Sequence, residues 1–173
     1  MGFPATSNLE STNTTEAPSS STNPTSSAPT NTPALKSVES LPSAALDLAS
    51  KLFDLARAGD TSTLNTYISA GIPKNLTNHA GDTLLMLSAY HGHAETVSML
   101  LVAGADPNVM NDRGQSPLAG AVFKGYDDVV RALVEGGADK ELGTPNAVDC
   151  ARMFKRDGYL KLFGVEAEGE SVG

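Results

Sequence analysis

Gly81-Asp82-Thr83-Leu84-Leu85-Met86-Leu87-Ser88-Ala89-Tyr90-His91-Gly92-His93 sets the pattern of the chain, because it returns. Thirty-three residues later, Gly114-Gln115-Ser116-Pro117-Leu118 leads to Gly125-Tyr126. Gly59, Gly92, Gly125 and Gly158 stand 33 apart, as do Gly71 and Gly104, while Gly104-Ala105-Asp106 returns as Gly137-Ala138-Asp139. Within each period a glycine turn precedes two apolar stripes at helical spacing. Leu85 and Ala89 lie at i and i+4, and Val97, Leu100 and Leu101 form the next stripe. Thr83 and Ser116 are placed to cap first helices with their hydroxyls, and Pro117 suits a first helical turn.

A period of about 33 with a turn, two short helices and Gly-Ala-Asp resembles the ankyrin repeat. The resemblance covers roughly the last two-thirds of the chain and is most specific in the two inner units. It implies an all-α solenoid of about four helix-turn-helix repeats, at residues 41–77, 78–110, 111–143 and 144–164. Where the family has Thr-Pro-Leu-His, this chain has Thr83-Leu84-Leu85-Met86 and Ser116-Pro117-Leu118-Ala119, so a histidine bridge between repeats is missing and apolar packing is expected instead.

The end units are degenerate. In the first, Ala44, Ala45, Leu48, Leu52, Leu55 and Ala56 share a helical face, and Gly59 is expected to stop the helix. The last unit admits two registers. Spacing pairs Gly158 with Gly125, whereas Ala147-Val148-Asp149-Cys150-Ala151-Arg152 looks like a terminal variant with a longer first helix.

Residues 1–40 are a different material. Ser, Thr, Asn and Pro dominate residues 4–33, and no Lys or Arg precedes Lys36. Such a stretch buries too little apolar surface to offset ordering entropy, so a disordered tail is expected. Residues 165–173 read as a short acidic tail.

The net charge of −8 disfavours nucleic acid, which requires clustered Lys and Arg. No stretch approaches the length of a membrane span, and the N-terminus lacks a secretory pattern. The single cysteine, Cys150, excludes an intrachain disulfide and suits a small buried core residue. A cytoplasmic monomer, with the nucleus as a second compartment, is the expectation.

Chemistry is sparse. His91 and His93 with Asp82 are the only residues that suggest a metal site, and His93 at the Gly-His position reads as structural. There is no nucleophile elbow and no phosphate loop. No enzyme activity and no cofactor are expected. The resemblance instead implies a protein-interaction module (adaptor, inhibitor or assembly factor) that binds on its concave face. The alternatives are a metal-dependent protein using His91, His93 and Asp82, and a transcriptional co-regulator binding a DNA-binding protein. Carried over from the family, the binding positions are Thr77, His79, Asp82, Met110, Asp112, Arg113 and Gln115 at the finger tips. On the first helices they are Leu87, Tyr90, His91, Phe123 and Lys124. Large apolar residues at solvent-facing positions suit the core of an interface.

Overall fold

The computed structural model describes residues 43–165. The two tails proposed above lie outside them, except for Val165. The described chain forms eight helices: α1 (Ser43–Ala58), α2 (Thr61–Ser69), α3 (Leu84–Tyr90), α4 (Ala94–Val102), α5 (Pro117–Lys124), α6 (Asp127–Glu135), α7 (Ala147–Met153) and α8 (Asp157–Leu162). They make four helix pairs. The first helices pack in a row, α1 on α3, α3 on α5 and α5 on α7, and α2, α4 and α6 pack in a second row.

The local rules that start the helices are simple. Thr83 Oγ1 accepts from the Met86 N–H at 3.1 Å, and Ser116 Oγ accepts from the Ala119 N–H at 3.2 Å. Each satisfies a donor that the helix itself leaves free. Asn146 Oδ1 does the same for Asp149 N–H at 2.8 Å, in the repeat whose turn has no family-like word.

The core is continuous along the stack, and Leu52, Leu64, Leu84, Leu85, Leu100, Leu118, Leu133 and Leu160 are its largest wholly buried residues. Met86 and Ala119 are buried, as the missing histidines suggest. In α1 the buried set is Ala49, Leu52, Phe53 and Ala56, whereas Ala44 is exposed. Leu48, Leu52, Leu55 and Ala56 of the face read from spacing pack in or against the core, and the buried face extends beyond it to Ala49 and Phe53, because α1 packs on both α2 and α3.

Asparagines tie the fingers together. Asn78 Oδ1 accepts from the N–H groups of Ala80 and Asp82, and Asn111 Oδ1 repeats this with Arg113 and Gln115. Asn111 Nδ2 then donates to Asp82 Oδ1 at 2.8 Å, bridging two repeats where the family histidine is absent. A second ladder runs behind. Asn75 Oδ1 accepts from Asp106 N–H at 2.9 Å, and Asn108 Oδ1 accepts from Asp139 N–H at 2.8 Å.

The last repeat has a definite register. The caps Thr83 and Ser116 are 33 apart, but Ser116 and Asn146 are 30 apart. The residues that leave each first helix in a left-handed conformation are Gly59, Gly92, Gly125 and Lys155, the last at φ 52°. Gly158 lies inside α8, so its 33-residue spacing from Gly125 marks no equivalence. The longer first helix is not formed either, since α7 has seven residues, as α3 does.

Candidate partner-binding groove

The register fixes which side chains share the outer face of the first helices. Arg57, Tyr90, Phe123 and Met153 occupy one column, and Ala58, His91, Lys124 and Phe154 the next. On the inner side of these, Leu87, Gly120 and Cys150 follow one another. A solenoid repeats its backbone, so equivalent residues become neighbours in space.

Between these columns and the fingers lies an apolar groove of about 660 Å³. Leu87, Gly120 and Cys150 line it together with Met86, Ala119, Pro117 and Pro145. Tyr90, Phe123, Met153 and Phe154 also border it and are 43%, 48%, 65% and 42% exposed. Phe123 and Phe154 meet edge to face at 5.1 Å between ring centres. The Lys124 ammonium sits 4.5 Å from the Tyr90 ring centre, a cation–π contact that leaves both groups reachable from solvent. Arg57, His91, Arg113, Gln115, Asn111 and Asp82 supply the polar lining.

Of the carried-over positions, Asp82, Leu87, Tyr90, His91, Arg113, Gln115 and Phe123 line the groove. Lys124 joins its edge through Tyr90. Thr77, His79, Met110 and Asp112 are not part of the lining. Two positions carried over as solvent-facing are buried. Thr77 pairs with Thr83 in a β-bridge at the finger base, and Leu87 lines the groove as a buried part of its floor. Met153, Phe154 and Cys150 were missed. Their equivalence to Phe123, Lys124 and Gly120 becomes visible only with the 30-residue step of the last repeat.

Of the three residues of the metal reading, His93 and Asp82 are engaged in structural hydrogen bonds. His93 Nε2 lies 2.7 Å from the Arg57 carbonyl oxygen, to which it donates. Asp82 accepts from the side-chain amides of Asn78 and Asn111. Among the described residues no group of three or more His, Cys, Asp or Glu is placed to hold a metal ion.

Electrostatics favour an uncharged floor. Burial, followed by the neighbouring Asp149 charge, pushes the Cys150 thiol above its ordinary range. The thiolate needed for nucleophilic work is thus disfavoured. Partial burial, then the charges of His93, Arg57 and Lys124, hold His91 below the usual histidine range.

Comparison with known proteins agrees with this geometry. The family model for ankyrin repeats matches in three copies over residues 52–144, more than half of the 173-residue chain. The match ends where the spacing between caps changes. A Pseudomonas aeruginosa protein whose name calls it an ankyrin repeat protein is 56% identical over 45 residues, which cover 26% of this chain and 26% of that protein. This chain therefore matches about a quarter of that relative's length. With the helix pairs, the left-handed exits and the family match in hand, the chain belongs to the ankyrin-repeat family.

Proposed function

We propose that this chain is a non-catalytic interaction module that holds one protein partner in the groove over α3, α5 and α7. Ankyrin stacks generally serve as protein-interaction modules, and their repeated faces form extended binding surfaces. One observation carries the assignment to this face. Tyr90, Phe123 and Met153 project from equivalent positions of three successive repeats, each more than two-fifths exposed. Leaving three large apolar side chains in water has no stability benefit, whereas aligned aromatic and Met residues suit the centre of an interface.

Affinity capture with wild type beside the Tyr90→Ala/Phe123→Ala double variant tests this. A protein retained by wild type and lost by an equally stable double variant supports the reading. Equal retention by both proteins refutes it.

A further inference from the structure

We propose that the groove takes a short acidic peptide segment of the partner, with one large apolar side chain seated over Gly120 and a carboxylate on Arg113. This deepens the groove assignment and rests on it.

Shape makes the apolar half of the argument. Leu87, Gly120 and Cys150 are equivalent residues of α3, α5 and α7, and only the middle one lacks a side chain. Among the described residues a Cβ built on Gly120 would meet just one neighbour, Tyr90 Cδ2 at 3.6 Å, and the space above it is otherwise open. That hollow is bounded by Tyr90, and Phe123 lines the same groove. The groove volume, about 660 Å³, falls in the range of about 300–1,000 Å³ typical of sites for compact ligands. A short segment fits this space, and a folded domain does not enter it.

Charge makes the other half. Among the described residues Asp82 is the one carboxylate in the lining, and its two oxygens accept from Asn78 and Asn111. Arg57 is paired with Asp54 at 2.8 Å. Among the described residues neither Arg113 nor Lys124 forms an ion pair, and the Lys124 ammonium lies over the Tyr90 ring. Among the described residues the groove and its edge thus carry Arg57, Arg113 and Lys124 against the carboxylate of Asp82, with Asp149 beside the floor at Cys150, although the whole chain carries −8. Over the Debye length of about 8 Å at physiological salt, these local cations govern a docked segment more than the distant net charge. A guanidinium fork also matches a carboxylate in two parallel hydrogen bonds.

Selection from a display library of random linear peptides tests this on wild type, Gly120→Leu and Arg113→Glu, each first shown to be folded by circular dichroism. Wild type should enrich peptides in which Asp or Glu flanks Phe, Leu or Met. Their affinity should fall about tenfold or more in either variant, and wild-type binding should weaken as salt is added. Enriched peptides that are neutral or basic, or that bind Arg113→Glu unchanged, overturn the acidic assignment. If such peptides are still lost on Gly120→Leu, the groove reading survives that failure. Peptides that bind Gly120→Leu as well as wild type overturn the groove reading together with the inference.

Discussion

The imidazole of His93 covers Gly59 of the preceding repeat while its Nε2 donates to the Arg57 carbonyl at 2.7 Å. The relationship recurs along the stack, with Tyr126 over Gly92 and Arg156 over Gly125. A planar side chain before α4, α6 and α8 thus lies on the glycine that follows the first helix of the preceding repeat. Gly59 has φ +74°, and a Cβ there would run into the imidazole of His93. Left-handed backbone alone costs an alanine about 1–2 kcal/mol, and the ring must then move as well. Gly59→Ala should therefore lose more than about 2 kcal/mol in urea denaturation. His93→Ala in the same chain should return part of that loss, giving a non-additive double-mutant cycle. Additive losses would mean that the ring and the glycine are independent.

Lys155 stands in the equivalent left-handed position of the last repeat, at φ 52°. Replacing it with glycine removes strain of about 1–2 kcal/mol, offset by about 0.4–1 kcal/mol from the freer unfolded chain. Lys155→Gly should raise stability by about 0.5–1 kcal/mol net, whereas Gly158→Ala, inside α8, should not lower it. A destabilised Lys155→Gly would contradict the 30-residue register.

That register shows where the sequence was legible. The inner repeats carry glycine, cap and apolar stripe together, so each feature confirms the others, and Thr83, Ser116, Leu85 and Val97 act as read. In the last repeat the chain is three residues shorter before α7, and lysine replaces glycine at the exit. A glycine at the old spacing then suggests the wrong pairing. The inter-repeat ladder also left a signal, since Asn75 and Asn108 are 33 apart, as are Asn78 and Asn111. Amides read one turn at a time do not reveal that they reach the neighbouring repeat.

Gly120 sits in the interior of α5, where glycine costs about 1 kcal/mol relative to alanine. Because its added Cβ meets only ordinary contact with Tyr90, Gly120→Ala should stabilise the fold by about that amount in thermal or urea melts. Destabilisation would mean that the hollow is not open.

Tyr90→Ala and Phe123→Ala should each cost no more than about 1 kcal/mol, whereas Leu85→Ala or Leu118→Ala should cost about 2–5 kcal/mol through lost burial and residual cavity. Urea midpoints of the four variants check this. Core-sized losses at Tyr90 and Phe123 would assign them to holding the stack together.

Tyr159 is buried, and its hydroxyl donates to Asp127 Oδ1, joining α8 to α6. Burial, then this hydrogen bond and the Asp127 charge, push its pKa from 10.0 up to about 12, with Arg156 opposing. The folded pKa is raised, so this stabilisation is complete below pH 10 and is lost as pH rises towards 12. The stability difference between wild type and Tyr159→Phe should shrink across that window, since lysine titration is common to both. A constant difference would contradict the assignment.

The central claim is that the partner occupies the groove over α3, α5 and α7. Methyl-labelled methionine gives the most direct measurement, because Met86 and Met153 line the groove while Met99 packs within α4. Adding the captured partner, or a peptide selected on the protein, should shift the Met86 and Met153 methyl resonances and leave Met99 in place. Movement of Met99 with Met86 and Met153 unchanged would place binding elsewhere and contradict the account.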